Sequence, residues 1–390
     1  EVVFGDWSSD VCSSDLVTAY HFYRLVSHAK QVYLVYSENS ELQGKDEPSR
    51  FIQQLDLEYR AVNSQCEYRE QPFRYPVIRL ETKPIAVPNP DEIRERLREK
   101  PLSPSALSLY SACPLRFYYA HAVGLKEADT VSEDPDAALV GNIFHSALES
   151  LFEKTSYAPG TLYKELEPLV DEAADQAIRK HLPHTRFTGN HYILRRASQS
   201  LIRRFVGQLQ GELLQRNGES YTVIEKEYAL NANLKLRGSR AIKLKGKIDH
   251  LGSIGACSCI IDFKTGGTGS LTLTRNPDGT YDFGELRDYR RKELLQLLCY
   301  ALLLRTGIGN EASAFHAEAW LYCFREKQPL KKLTVKTGRN GSSLITDDLI
   351  DDFSEWLSEY CGAIIETESF SQTADLKHCK FCPYAAVCMR

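Results

Sequence analysis

Asp262 and Lys264, in the run Ile260-Ile261-Asp262-Phe263-Lys264, set a carboxylate and an ammonium two residues apart in an otherwise apolar segment. Alternate residues of a β-strand share a face, so the two charges stand together while Ile261 and Phe263 point the other way. Charges on a largely buried sheet are seldom tolerated unless they are paired or hold a metal. Asp249, in Gly246-Lys247-Ile248-Asp249, belongs to the preceding strand, and a hairpin turning near Gly252 to Gly255 brings it alongside Asp262. Two close carboxylates repel each other unless a cation sits between them, and magnesium meets that need with oxygen ligands while keeping waters for hydrolysis. Asp-x-Lys alone reads first as a salt bridge; Asp249 one hairpin away shifts the reading toward a site.

Other residues are weaker on their own. His145, in Gly141-Asn142-Ile143-Phe144-His145, flanks an apolar helical stripe, where a lone histidine is more often a satisfied core residue than a ligand. Gln296 and Tyr300 are four apart and share one face of a long helix. Glu225 and Glu227 share a strand face and could assist, but solvated edge charges are the simpler reading. Eleven cysteines are many for reduced thiols, and the odd total argues against a full disulfide framework. Cys379, Cys382 and Cys388 form a compact triplet that needs a fourth thiolate, and Cys113 is the natural candidate. Spacing does not separate zinc from a [4Fe-4S] cluster, since both accept four cysteines.

The elements that must position these groups follow from periodicity and turn residues. Ser103-Pro104-Ser105 starts a helix with Ser103 as N-cap. A second helix runs from about Ala138 to Lys154, and helical material continues as an insertion from about Leu162 to Gln215. Strands are expected at Tyr221 to Leu230, Ala241 to Leu251 and Cys257 to Lys264. A long apolar helix then covers Glu285 to Thr306, followed by strands at Ala314 to Phe324 and Leu330 to Lys336. A final helix places Ile350, Phe353, Leu357, Tyr360 and Ile364 on one face. Ahead of this region, a helix (Tyr20 to Lys30) and a strand (Gln31 to Tyr36) precede a short helix at Ser49 to Asp56. Prolines at 72, 76, 84, 88 and 90 then mark residues 61–101 as an extended linker carrying a short charged helix, Asp91 to Lys100.

With 390 residues and 43% hydrophobic content the chain can build a sizeable core. No apolar run is long enough to span a bilayer, and the amino terminus lacks the order of a signal peptide, so a soluble, cytoplasmic protein is expected, with no membrane partner. A net charge of -4 excludes a uniformly basic nucleic-acid binder but not a local groove. Arg195, Arg196, Arg203, Arg204, Arg287, Arg290, Arg291 and Lys292 read equally as solvated helix faces or as a DNA track. Residues 1–16 resemble translated sequencing-adapter sequence and are expected to be non-native.

Gly141-x-x-x-His145, Gly246-x-x-Asp249, Asp262-x-Lys264 and Gln296-x-x-x-Tyr300 are weak singly but strong as an ordered set. From about Pro101 onward the chain resembles the RecB-like branch of the PD-(D/E)XK nucleases. The resemblance implies an α/β fold with a restriction-endonuclease-like α-β-β-β-α-β core, a mixed sheet flanked by helices, in a domain covering 102–390. It implies that His145, Asp249, Asp262 and the Phe263 carbonyl hold Mg2+ or Mn2+. Lys264 would orient the attacking water and stabilise charge on the phosphate, while Gln296 and Tyr300 would position Lys264 or the nucleic-acid backbone. Lys247 and His250 depart from the arginines many relatives carry. An early cysteine with Cys-x2-Cys-x5-Cys after the last helix is the iron-sulfur pattern of AddB-type nucleases, which implies a structural [4Fe-4S] cluster on Cys113, Cys379, Cys382 and Cys388. A link from 113 to 379 would stabilise by an amount on the order of several kcal/mol through loop closure.

Residues 17–60 resemble the last helix and strand of a helicase-like domain, without a phosphate loop. The expected function is therefore metal-dependent, exonuclease-type hydrolysis of single-stranded DNA within a helicase-nuclease complex for double-strand break repair, with an AddA-like subunit as partner. The alternatives are a stand-alone CRISPR-adaptation-type iron-sulfur nuclease and a catalytically silent DNA-binding module stapled by zinc.

Overall fold

Runs rich in β-branched and aromatic residues, punctuated by Gly252 and Gly255, form the strands that carry the site. A computed structural model of the chain describes residues 13–36, 49–63, 67–72, 84–126, 137–216, 218–235, 241–308 and 315–390. Cys12, Cys66 and most of the 1–16 segment lie outside the described residues. The chain divides into two compact units, Glu1–Glu81 and Thr82–Arg390.

In the first unit a helix spans Ser13–Ser27, and a shorter one, Arg50–Gln54, continues through wider turns to Val62. The Phe22 and Phe51 rings stack with centres 5.1 Å apart. The strand expected at Gln31 to Tyr36 does not form; those residues enter no ladder among the described residues, and Tyr33 and Val35 are exposed. An apolar alternation without a neighbouring strand leaves its backbone groups to water and has no pairing to hold it extended.

The second unit is built on a six-stranded mixed sheet: β1 (Ser156–Tyr157), β2 (Tyr221–Lys235), β3 (Ala241–Ile254), β4 (Cys257–Lys264), β5 (Ala317–Cys323) and β6 (Leu330–Lys332), adjacent in that order. All pairs are antiparallel except β4 with β5, which is parallel. The parallel pair requires a crossover, supplied by helix Lys292–Ile308. Numbered in chain order, the helices that matter are α1 (Asp91–Glu99), α2 (Pro104–Ala112), α3 (Ala137–Leu151), α4 (Val170–His181), α5 (Asn190–Leu214), α6 (Lys292–Ile308) and α7 (Asp347–Ile365).

Period-two alternation sorts the strand side chains onto two cores. Ile242, Leu244, Ile248, Ile260 and Leu321 pack with α6 and α7, whereas Ile261, Phe263, Trp320 and Tyr322 pack with α3, α4 and α5. Strand β5 is buried along its whole length, as a strand covered on both faces must be. Helix α6 is apolar nearly all round, from Leu294 to Leu304, because the sheet, α2 and α7 surround it. Ser103 caps α2 as expected, its Oγ accepting from the Ala106 N–H at 3.2 Å.

Three expectations change in detail. Residues 84–100, read as linker, belong to the second unit: Ala86–Pro88 pairs antiparallel with Ser369–Ser371, and the Asn89 amide donates to the Ile365 and Thr367 carbonyls at 2.8 and 2.9 Å. The prolines do extend this stretch, but a ladder takes up the extended backbone. The expected strand at Leu330 to Lys336 breaks at Leu333 into β6 and Thr334–Thr337, which joins Thr272–Thr274 and Asn340–Ser342 in a separate three-stranded sheet. Short 3-10 turns occupy 284–291, where the Asp288 carboxylate caps the Arg290 N–H at 2.9 Å, so α6 begins at Lys292. Among the described residues no helix is long and apolar enough to cross a membrane.

Candidate metal centre and cysteine cavity

The β3–β4 hairpin sets the register of the acidic groups. His250 pairs with Ile261, so Asp249 lies one residue beyond, level with Asp262. Asp249 Oδ2 accepts from the Phe263 N–H at 2.8 Å, which joins the two strands where the ladder ends. Asp262, 1% exposed, forms an ion pair from Oδ2 to Lys264 Nζ at 2.7 Å and accepts at Oδ1 from Gln296 Nε2 at 3.0 Å. Gln296 Nε2 also donates to Tyr300 Oη at 2.6 Å. The four-residue spacing on α6 therefore does what one helix face allows: Tyr300 orients Gln296, and Gln296 orients Asp262.

His145, on α3, reaches the same place from above the sheet. Its Nδ1 is 3.4 Å from Glu227 Oε1 and 3.5 Å from Asp249 Oδ1. The ligand atoms of His145, Glu227 and Asp249 all lie within 4.8 Å of one another. Glu227 is the residue that sequence reasoning set aside as an edge charge. Lys226 pairs with His250 and Tyr228 with Ile248, which leaves Glu227 abreast of Asp249. A register irregularity between Val223 and Glu225 lies just upstream, and Glu227 itself has φ +53°, a left-handed backbone that strains a side chain of this type. Its Oε2 is held by Lys247. Glu225 stays outside the cluster, exposed to solvent.

Electrostatics follow from crowding. Burial and the neighbouring Asp262 carboxylate push Asp249 up to about 7. Burial disfavours charge on His145, but Glu227 and Asp249 outweigh it and raise its pKa. His145 and Lys247 hold Glu227 down at about 2. Burial likewise opposes charge on Lys264, yet Asp262, Asp249 and Glu293 together raise it, so the ammonium stays protonated at neutral pH. Glu293, 4% exposed and three residues before Gln296, is a second carboxylate that the sequence reading did not single out. The buried Oδ2 of Asp262 has the Lys264 ammonium as its partner. Crowded carboxylates, one with a raised pKa, plus a single imidazole, are a donor set suited to a hard divalent cation such as Mg2+ or Mn2+.

Phe263, next after Asp262 and bonded through its N–H to Asp249, has its ring in the core, 5.1 Å from the Phe205 ring and 6.0 Å from the His145 ring. His250 cannot contact a substrate. It is 1% exposed, packed against Phe152 at 4.6 Å and stacked on Tyr221 at 5.9 Å, and burial pushes its pKa down to about 3.

Cys113, Cys379, Cys382 and Cys388 line one cavity, together with Arg116, Gln372 and Arg390. Cys113 follows the end of α2, and the other three lie in the turns after Ser369–Ser371. Gln372 Nε2 donates to the Cys388 carbonyl at 2.8 Å, and Tyr384 Oη donates to the Leu125 carbonyl at 2.7 Å, fastening this segment to the residues after α2. Burial first, and the neighbouring sulfurs next, raise the Cys379 and Cys388 thiols. Cys259, Cys299, Cys323 and Cys361 are buried in the cores, where a free thiol behaves as a small apolar side chain, while Cys257 is half-buried.

The PD-(D/E)XK nuclease superfamily matches over residues 101–389. Among solved structures, one described as "Crystal structure of SSO0001" is 14% identical, covers 72% of this chain and 94% of that one, and aligns with a TM-score of 0.24, too low for the likeness to carry an argument. Comparison with the curated proteins gives no match.

Proposed function

The chain belongs to the PD-(D/E)XK nuclease superfamily, and from that premise we propose that it hydrolyses single-stranded DNA with Mg2+ or Mn2+ held by His145, Glu227, Asp249 and Asp262, with the Phe263 carbonyl as a further ligand. The observation that carries the reading is the convergence of the Asp249–Glu227–His145 cluster with the Asp262–Lys264 pair at one end of the β3–β4 hairpin. When bound, the cation supplies Lewis-acid charge against the phosphate. Lys264, protonated and aimed by Asp262, donates to the attacking water and to the oxygens on which charge develops; its raised pKa makes it a poor base. Gln296 and Tyr300 hold Asp262 in place, which keeps this geometry fixed while substrate binds.

The cysteine cavity is part of the same proposal, as the seat of a structural [4Fe-4S] cluster. Four thiols round one cavity support a shared metal group. The choice of iron over zinc rests on the resemblance, since both accept four thiolates. Membership of an AddB-like helicase-nuclease with an AddA-like partner rests on the cysteine pattern and on the resemblance of the amino-terminal residues, of which the strand at 31–36 is not present.

The test is cleavage of single-stranded DNA with and without Mg2+ or Mn2+ by wild type and Asp262→Asn, with circular dichroism to check the fold. The expected result is metal-dependent cleavage lost in the folded variant. Equal cleavage by both, or none by wild type, ends the nuclease reading. Iron content and visible absorption of protein purified without oxygen test the cluster, and stoichiometric zinc without iron refutes it.

A further inference from the structure

Most of the arginines that the sequence offered as a DNA track are paired within the protein. Arg195 is bonded to Asp175 at 2.6 and 2.7 Å, Arg203 to Glu167 and Asp171 at 2.8 and 2.7 Å, and Arg204 to the Glu326 and Lys327 carbonyls. Arg290 is paired with Asp288, and Arg291 with Glu285.

The outer half of the β2–β3 hairpin carries a row of lysines. Leu230, Ala232, Leu234, Ile242 and Leu244 face the core, which turns the intervening residues to solvent. On that open face Asn231 pairs with Lys245, Asn233 with Lys243 and Ala229 with Lys247, and Lys235 continues the row. No carboxylate occurs among these alternate positions, in a chain whose net charge is -4. Lys243 and Lys245 form no ion pair among the described residues. The row is also reinforced from outside the hairpin: Lys100 donates to the His121 carbonyl at 2.8 Å, and burial, Lys100 and Lys245 together depress the His121 pKa. Lys247 at the inner end is held by Glu227, but Lys243 and Lys245 stand without a counter-charge, and like charges so gathered repel one another until a polyanion relieves them.

Position and spacing match this to the metal centre. Lys243, Lys245, Lys247 and Asp249 alternate along one strand, one step per about 6.8 Å of rise. A groove beside this face is lined by Asn231, Lys245 and Lys247 and by Gln296 and Tyr300, which orient Asp262. Its far wall is the start of α2, at Ser103 to Ser105. That wall is fixed to the hairpin by backbone bonds, Leu102 N–H to the Lys243 carbonyl and Lys245 N–H to the Leu102 carbonyl, both 2.8 Å.

We infer that this lysine and asparagine face is a phosphate track that feeds one nucleic-acid strand, independently of its sequence, along β3 to Asp249. This deepens the nuclease reading and rests on it. Amides and ammoniums recognise phosphate and sugar, not base edges, so the track carries register without sequence information. A single strand is the occupant because the groove is bounded by α2 on one side and ends on Tyr300, which is 6% exposed.

The experiment is binding of labelled oligothymidylate to the full chain in EDTA, across a salt series, for wild type and Lys243→Gln/Lys245→Gln. Each phosphate contact on a single strand contributes about 0.7 to the slope of log K against log salt, so the double variant should lower the slope by about 1.4. Lys243→Arg/Lys245→Arg should restore it, and Lys180→Gln/Lys377→Gln should leave it unchanged. An unchanged slope in the Gln variant, an equal loss in the control, or a fall of the same size on duplex but not on single-stranded DNA overturns the track. Manganese-dependent hydrolysis of a small thymidine nitrophenyl diester by wild type reports on the nuclease reading separately. Hydrolysis with an unchanged slope sinks the track alone; a lowered slope without hydrolysis sinks the nuclease reading alone.

Discussion

Two motif glycines make opposite demands, and substituting each by alanine tests how the site is held. A Cβ at Gly246 would lie 2.6 Å from Leu303 Cδ1 and 3.1 and 3.2 Å from two ring carbons of Tyr300. Apolar carbons rest about 3.5–4.0 Å apart, so the Leu303 methyl must retreat by about 1 Å and the Tyr300 ring by about half as much. Leu303 is fully buried and Tyr300 is 6% exposed, so neither has room. Overpacking of this kind costs about 1–3 kcal/mol. The displacement passes from Tyr300 to Gln296 and on to Asp262, through bonds of 2.6 and 3.0 Å. A misplacement near 1 Å can cost about 100-fold in rate, and Gly246→Ala should lose between tenfold and that much in kcat. At Gly141 the nearest atoms are those of Thr265 at 3.8 Å, ordinary contact, and the site is within α3. Gly141→Ala should therefore melt at or above the wild-type midpoint, since alanine in a helix is favoured by up to about 1 kcal/mol. Thermal melts and steady-state cleavage of single-stranded DNA are the assays. Adding Leu303→Ala to Gly246→Ala should recover part of the lost activity by removing the closest clash. Wild-type melting and kcat in Gly246→Ala, or equal damage at Gly141, would refute the reasoning.

Further outcomes follow from the same geometry. Glu227→Gln keeps the shape but removes one carboxylate of the His145–Asp249 cluster, and should weaken Mn2+ binding at least tenfold by calorimetry; unchanged affinity would remove Glu227 from the centre. His250 has its folded pKa depressed to about 3, against about 6.5 unfolded. A depressed histidine contributes stability that is present above pH 6.5 and lost as pH falls toward 3, at about 1.4 kcal/mol per pH unit. Urea midpoints between pH 7.5 and 4.5 should therefore fall more steeply in wild type than in His250→Gln, and parallel curves would contradict its burial as a neutral ring. Cys382→Ala should lower both iron content and the melting midpoint of anaerobically purified protein; a variant matching wild type in both would show that the four thiols hold nothing in common.

How far the sequence could be read depended on which interactions were local. Asp262 and Lys264 were legible because period two in a strand is a local rule, and Asp249 because a glycine turn predicts a hairpin. The α6 pair, Gln296 and Tyr300, followed from helix pitch. Glu227 was not legible in the same way: its place depends on a strand irregularity and a left-handed backbone at a residue that seldom adopts one, and nothing in glutamate's type announces either. Glu293 was hidden for another reason, since a charged residue at the start of an apolar helix looks like an ordinary first-turn acid until the helix is docked. The split of the Leu330 to Lys336 strand needed two sheets to be known, and the arginine clusters needed their partners in distant segments. The lysine row was visible as alternation in Lys243, Lys245 and Lys247, but only the docked face of α6 shows which side of the hairpin is solvent.

The pairing of Ala86–Pro88 with Ser369–Ser371, with the Asn89 amide bonded to the carbonyls at 365 and 367, bears on how the chain comes to be folded at all. During synthesis the 86–88 segment emerges early and waits, without its ladder, until residue 371 has left the ribosome. Closure over so long a stretch is slow relative to local helix and hairpin formation. The β3–β4 hairpin that carries Asp249 and Asp262 is complete by residue 264. On a nascent chain the acidic cluster should therefore assemble before the unit is locked, leaving a window in which chaperone binding or proteolysis competes with the final closure.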